Sequence, residues 1–249
     1  MGHDHFSNRL AHNGRDVRAG VNSPPHCFQS SGANNEIAGF YFGVVGVIYA
    51  VLLAFAVIVV WERFSDAETA VVQEAGAAVA IYRLTTAPAP EAIATRAALE
   101  NYLKQAIDKD WPQMAREKES GDANQALDAL YAAAARLAAS TSAPPAVLTE
   151  MFRQLDSIVQ ARRIRLHLAT GIVPSILWVG LFGGALLTVG FTFFFGTENL
   201  AAQTLMTGIL SIVVFTGLFL IVSIDHPFTG SVHIGSEPLQ LVLLDFGHG

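Results

Sequence analysis

Acidic side chains at the end of the first long apolar segment are the residues best placed to do chemistry. Glu62 and Asp66 lie four residues apart, on one face of a predicted helix, and Glu68 follows closely. Clustered carboxylates suit a hard divalent cation. Arg63 lies between them, however, and this spacing favours a solvated, charge-paired face. We therefore expect no metal site here.

Four histidines lie in the first 36 residues, at His3, His5, His12 and His26. No accompanying cysteine or carboxylate spacing supports metal ligation. The same stretch is rich in Gly, Asn, Ser and Pro and has no hydrophobic periodicity, which predicts a disordered polar tail over residues 1–36. It has no apolar h-region of a signal peptide. The single cysteine, Cys27, excludes a disulfide within one chain.

Sequence motifs of the common enzyme classes are absent. The chain has no phosphate-binding glycine loop, HExxH, CxxC or GxSxG motif. Its long apolar segments contain no ionisable side chain, which disfavours proton-coupled transport and acid–base chemistry within the membrane. We expect neither an enzyme nor a bound cofactor. The sequence is still compatible with a channel that has an apolar constriction.

Three uncharged segments dominate the rest of the chain, at residues 37–61, 168–197 and 199–224. Each exceeds the roughly 20 residues that cross a hydrocarbon core as a helix. Charged residues make up only 14% of the sequence, against about 25% in soluble domains. These features predict an all-α integral membrane protein with three transmembrane helices. The net charge of −6 argues against nucleic acid as a partner.

Basic residues near the predicted spans set the orientation. Arg63 follows the first span, and the turn between the second and third spans has no Lys or Arg. Three arginines precede the second span: Arg162, Arg163 and Arg165. Because Lys and Arg near membrane ends favour the cytoplasm, we expect residues 62–167 to be a cytoplasmic helical bundle. The tail at residues 225–249 would then also be cytoplasmic. Three arginines in the N-terminal tail oppose this orientation from a distance.

Hydrophobic periodicity predicts four helices in the region between the first two spans. The first continues directly from span one, and the second follows the breaker sequence APAP. The third is the alanine-rich stretch near residues 123–139. The fourth begins near Pro145, and we expect it to continue without a break into the second span.

Small residues recur at three- and four-residue steps within the spans. They are Gly39, Gly43, Gly46, Ala50 and Ala54 in the first span, and Gly180 and Gly184 in the second. Such faces let helices approach closely in lipid. The pattern fits packing within the chain as well as it fits a subunit contact or a pore-facing role.

A run of phenylalanines marks the predicted external end of the second span. It comprises Phe191, Phe193, Phe194 and Phe195. Aromatic rings favour the membrane–water interface, and a ring of apolar side chains can also close a pore. An interfacial anchor and a hydrophobic gate are the two interpretations.

Several stretches together resemble the bestrophin-like domain family of uncharacterised bacterial membrane proteins. They are GVIYAVLLAFAVIVVWE, the pair Glu74 and Ala75 followed by IYR, YLKQAIDKDWPQM, RRIRLHLATGIVPSILWVGLFGGAL and IDHPFTG. The resemblance covers roughly residues 36–238. It includes a family turn motif at Asp225, Pro227, Phe228 and Gly230, in which His226 replaces the more usual arginine. Family members usually carry a further hydrophobic helix before residue 37.

The resemblance implies a multi-pass protein of the bacterial inner membrane and kinship with pentameric anion channels. An oligomeric ion channel would be a homo-oligomer in the lipid bilayer that conducts small inorganic ions. The alternative is a non-conducting scaffold or signalling protein that acts through its cytoplasmic helices. The absence of ionisable residues from the spans fits both hypotheses equally.

Overall fold

A computed structural model describes residues 30–140, 143–195, 199–230 and 232–247, the first six of them as backbone only. Over these ranges the chain forms helices and connecting segments, with no β-strand. The elements are α1 (Ser30–Leu84), α2 (Pro90–Gln105), a π-helical turn (Ala106–Asp110), α3 (Trp111–Met114), α4 (Gly121–Ala139), α5 (Pro145–Leu168), α6 (Ser175–Phe191), a 3-10 turn (Thr192–Phe194), α7 (Leu200–Ile224) and α8 (Glu237–Phe246).

Helix α1 joins the membrane region to the bundle without interruption. Its 55 residues correspond to a length of about 82 Å, far more than the roughly 30 Å of a hydrocarbon core. The predicted continuation of the first span is therefore confirmed. The helix begins at Ser30, inside the predicted polar tail. The remainder of that tail, with its four histidines and Cys27, lies outside the described residues.

Three helices are long and apolar enough to cross a membrane, as the sequence predicts. They lie within Glu36–Leu84, Ser175–Phe194 and Leu200–Ile224. Helices α6 and α7 pack against each other and against α1. The buried residues of their shared seam are Tyr49, Val60, Leu181, Ala185, Val214, Leu218 and Ile221.

The bundle outside the membrane region is built from the second half of α1 with α2, α4, α5 and α8. Its core is alanine- and leucine-rich, with Leu99, Leu103, Leu130, Leu155 and Ile158 all fully buried. Helix α4 packs against α2 and buries an alanine- and leucine-rich face in this core.

Helix α8 is an element that the sequence did not predict, since it lies inside the expected C-terminal tail. Leu239, Val242 and Phe246 form its buried face. The ring of Phe246 stacks on Tyr82 of α1, with centroids 3.8 Å apart. The Tyr82 hydroxyl donates to the Phe246 carbonyl at 3.2 Å. Helix α8 is therefore part of the bundle.

A break separates α5 from α6, where the sequence predicted one continuous helix. Gly171 adopts φ +90°, a left-handed conformation that favours glycine. Pro174 then stands at the N-cap of α6, because proline cannot donate a helical hydrogen bond. The chain changes direction here, and six residues separate the two helices.

Candidate functional site

The small residues of α1 lie on a face that the described part of the chain leaves uncovered. A Cβ atom added at Gly43 or Gly46 would meet no other side chain within 4 Å among the described residues. Ala50 and Ala54 are exposed. We call these four residues the small-residue face of α1. Gly39, at the same face, has only the Phe195 ring nearby, at 3.8 Å.

The two glycines of the small-residue pattern in α6, Gly180 and Gly184, face α1 instead. A Cβ added at Gly180 would be 3.9 Å from Leu52, an ordinary contact. At Gly184 it would overlap the ring of Tyr49. Because Gly184 has no Cβ, the Tyr49 ring fits between α1 and α6. Of the two glycine patterns, only that of α6 packs within the chain.

The phenylalanine run divides into two pairs. Phe191 and Phe195 contact Phe42 of α1, with centroid separations of 6.1 Å and 5.7 Å. Phe193 and Phe194 are 74% and 77% exposed. The first pair fixes the end of α6 against α1, and the second pair faces outward.

The turn after α7 connects the membrane helices to the bundle. Asp225 is buried, and its Oδ1 accepts the backbone amides of Ile172 and Val173 at 3.1 Å and 2.7 Å. These amides belong to the segment between α5 and α6, where the helix is interrupted. The carboxylate therefore satisfies donors that the break leaves without helical partners.

The rest of the turn motif inserts into the bundle. Phe228 is buried and packs edge-on against Trp111, with centroids 5.9 Å apart. The carbonyl of Pro227 accepts the Ile234 amide at 2.7 Å, and Gly230 adopts φ +90°. The motif therefore acts as a structural corner between α7 and α8.

His226 lies between two carboxylates at this corner. Its Nδ1 is 3.2 Å from Asp225 Oδ2, and its Nε2 is 3.7 Å from Glu117 Oε1. Glu117 has φ +58°. His226 thus has an acidic neighbour at each ring nitrogen.

A buried network of charges lies in the bundle, just beyond the membrane helices. Arg165 of α5 is fully buried and donates through Nε to Glu74 Oε2 at 2.9 Å. Its Nη2 donates to Glu74 Oε1 at 3.1 Å and to Asp110 Oδ2 at 3.3 Å. The guanidinium also stacks over Trp111, 4.5 Å from the ring centroid. One arginine therefore joins α1, α5 and the π-helical turn.

A second arginine extends this network. Arg162 Nε donates to Asp110 Oδ2 at 2.8 Å, and its Nη1 donates to Asn124 Oδ1 at 2.6 Å. Asp110 Oδ1 also accepts the Ser120 amide at 2.9 Å. Two arginines thus balance two carboxylates, Glu74 and Asp110. Buried ions are tolerated when they are paired and hydrogen-bonded in this way.

The protonation states follow from these contacts. Burial alone would lower the pKa of Arg165, but the charge of Glu74 and its hydrogen bond hold that pKa above the ordinary value. Tyr102 donates its hydroxyl to Glu74 Oε1 at 2.5 Å. Burial, and then the negative charge of Glu74, raise the pKa of Tyr102 well above 10. The tyrosine therefore remains a donor.

The sequence signals for this network were not recognised. Arg162 and Arg165 indicated only orientation, and Glu74 only a family resemblance. Glu74 does lie between Val71 and Ala78 on the apolar stripe of α1. A charge on a buried stripe indicates a buried partner.

The acidic residues first considered for a metal lie on an exposed face. Arg63 Nη1 is 3.5 Å from Asp66 Oδ2, and both side chains are more than half exposed. This is the predicted charge pairing. Across the described part of the chain, His, Cys, Asp and Glu side chains form no group of three that could hold a metal ion.

Three apolar helices pack beside one another, and a helical bundle with buried ion pairs follows them. Together they define an all-helical multi-pass membrane protein. Residues 19–239 match the family described as the bestrophin-like domain. The chain belongs to this family, which confirms the resemblance.

Solved structures show the same fold. A mutant of a bacterial bestrophin homologue from Klebsiella pneumoniae superposes with a TM-score of 0.69 at 15% identity, over 84% of this chain and 87% of that one. The homologue phased with zinc gives 0.69 at 17% identity, over 83% and 86%. A mutant described as a membrane protein gives 0.70 at 16%, over 84% and 87%. No curated protein matches the sequence significantly.

Proposed function

We propose that this protein is a homo-oligomeric ion channel of the bestrophin type, without enzymatic activity. The observation that carries the proposal is the small-residue face of α1, which none of the described residues covers. Lipid tails contact large apolar side chains as readily as small ones. Small residues are favoured where another helix backbone must approach closely, or where a lumen must remain open.

The neighbouring surface of α1 supports this proposal. Tyr49, Leu53 and Val60 already supply the contacts to α6 and α7. The small-residue face is therefore available to another copy of the chain or to a central pore. Membership of the bestrophin-like family, whose resemblance implies kinship with pentameric anion channels, supports the same assembly, with small inorganic ions as the conducted species.

The proposed topology follows the distribution of basic residues. Residues 62–167 would lie in the cytoplasm, and the connection between α6 and α7 outside, in a bacterial inner membrane. The outward pair Phe193 and Phe194 would then anchor the external interface. Gating by the phenylalanine run is the less favoured role, because Phe191 and Phe195 pack against Phe42.

Protein mass in detergent, measured by light scattering that separates protein from micelle, tests the assembly. We expect an oligomer, and after reconstitution a flux of chloride, sodium or potassium into liposomes. Gly46→Leu should reduce assembly or flux, because the added side chain fills the small-residue face. Gly208→Leu on α7 is the matched control, since a Cβ added at this glycine likewise meets nothing within 4 Å.

Two results would contradict the proposal. A stable monomer would remove the need for the small-residue face. A well-folded oligomer that conducts no small ion would favour a scaffold or signalling protein acting through its helical bundle.

A further inference from the structure

A groove of about 500 Å³ lies between α1 and α5, at the end of the membrane region. Its polar lining includes Arg63, Asp66 and Gln73 of α1 and Arg163 and His167 of α5. Its apolar lining comes from Ala70, Ile164 and Leu168. The groove is therefore amphipathic, with charged groups beside an apolar wall.

The positive charge of the groove is only partly balanced. Arg63 is paired with Asp66 at 3.5 Å. Arg163 is exposed and has no ion-pair or hydrogen-bond partner among the described side chains. His167 lies one helical turn beyond it. Arg63, Arg163 and Asp66 together give the groove an excess of one positive charge.

The position of the groove coincides with the predicted membrane boundary. Arg63 follows the uncharged segment that ends at Trp61, and the Trp61 side chain is 61% exposed. Tryptophan favours this interface. On α5, His167 precedes the start of α6 at Ser175 by eight residues. The parts of α1 and α5 that line the groove therefore lie at the level of the lipid headgroups.

The groove also lies away from the small-residue face that we assign to subunit contact or pore. Twenty residues at about 100° each place Asp66 roughly 200° around α1 from Gly46. The assembly proposed above therefore does not require this surface.

We propose that the groove binds the headgroup of an anionic phospholipid, with Arg163 as the principal phosphate contact. Arg63 and His167 flank the phosphate, and Ile164 faces the upper part of an acyl chain. Basic pockets beside membrane helices recognise such headgroups through charge and donor geometry. The proposal depends on membrane insertion and does not depend on ion conduction.

Lipid retention measured by native mass spectrometry tests this site. The full chain is purified and exposed to phosphatidylglycerol or phosphatidylcholine at equal concentrations. We expect selective retention of phosphatidylglycerol, and about fivefold weaker binding in Arg163→Gln, as expected for one basic residue at a membrane surface. Arg163→Lys should restore most of the binding, because it keeps the charge.

Arg153→Gln is the matched control. It removes the same charge from the same helix at an exposed position, and Arg153 is already paired with Glu150. It should leave lipid retention unchanged.

Three outcomes would overturn the proposal. Equal retention in the wild type and Arg163→Gln would show that the groove holds no headgroup. If inorganic phosphate displaces phosphatidylglycerol and stabilises the protein as well as the lipid does, the groove is a site for free anions. Loss of oligomer mass in Arg163→Gln would show that a second copy occupies the groove.

Discussion

The membrane helices and the bundle beyond them bury their side chains in different ways. In the most apolar stretches of the three membrane helices, the chain itself buries only 11%, 17% and 17% of the residues. The hydroxyl groups of Tyr49 and Thr188 are buried there without a hydrogen-bond partner among the described residues. In the bundle, by contrast, the buried carboxylates Glu74 and Asp110 each contact an arginine.

The bundle is stabilised by contacts within one chain, whereas the membrane helices need contacts with lipid or with other subunits. The bundle has a closed apolar core and a balanced set of charges. The membrane helices expose most of their surface to lipid or to other subunits. We therefore expect bundle substitutions to change the stability of the folded chain, and outward-facing membrane substitutions to change assembly.

The largest expected effect comes from Arg165→Met in the bundle. The substitution leaves Glu74 without its arginine and Asp110 with one instead of two. Removing one partner of a buried ion pair costs about 3–5 kcal/mol. Thermal unfolding in detergent, followed by circular dichroism, should show a large loss of stability. The control Arg153→Met should unfold like the wild type. Equal unfolding of both variants would mean that the network contributes nothing.

Asp225→Ala tests the corner that connects the two regions. It removes the carboxylate that accepts the Val173 amide, and it leaves the Ile172 amide only the Asp225 backbone carbonyl, at 3.2 Å. A buried donor left without a partner costs about 1–3 kcal/mol. Hydrogen exchange should accelerate first in the segment between α5 and α6. Asp245→Asn, at an exposed position of α8, should exchange like the wild type. Unchanged protection in Asp225→Ala would show that this corner needs no carboxylate.

Gly184→Ala introduces a clash inside the membrane region. The added methyl group overlaps the Tyr49 ring and must displace it. Overpacking of this kind costs about 1–3 kcal/mol. We expect a value near the lower end, because lipid lets α6 move outward. The measurement is the thermal unfolding midpoint, with Gly183→Ala as the control, since an added Cβ there meets nothing within 4 Å. Equal midpoints would mean that Tyr49 is not confined.

The smallest effect concerns alkaline pH and Tyr102. Because burial and Glu74 raise its pKa, the folded chain keeps this proton when the unfolded chain loses it above about pH 10. Folding stability is then unaffected below pH 10 and falls by about 1.4 kcal/mol per pH unit above it. Denaturant unfolding between pH 9 and 11 should show a shallower decline for Tyr102→Phe. Parallel slopes would contradict the assignment.

The sequence predicted the elements whose signals are local. Uncharged runs of span length identify the three membrane helices, and the absence of proline allows α1 to continue into the bundle. The small-residue patterns were visible, but periodicity did not show which of them the chain would cover.

Features that depend on distant partners were not predicted. The break before α6 requires Asp225, more than 50 positions further along the chain. Glu74 and Arg165 are separated by 91 positions, and no local pattern pairs them. Helix α8 is only ten residues long, and its apolar face packs against Tyr82, which is more than 150 positions away in the sequence.

The uninterrupted α1 couples the tilt of the first membrane helix to the position of the bundle. A straight helix adapts to a thinner or thicker bilayer by tilting, and α1 has no proline that could absorb the change as a kink. The 23 residues between Trp61 and Leu84 extend about 35 Å beyond the boundary. A tilt of about 10° would move the Leu84 end of α1 by about 6 Å. A change in the tilt of the membrane part of α1 would therefore displace the bundle.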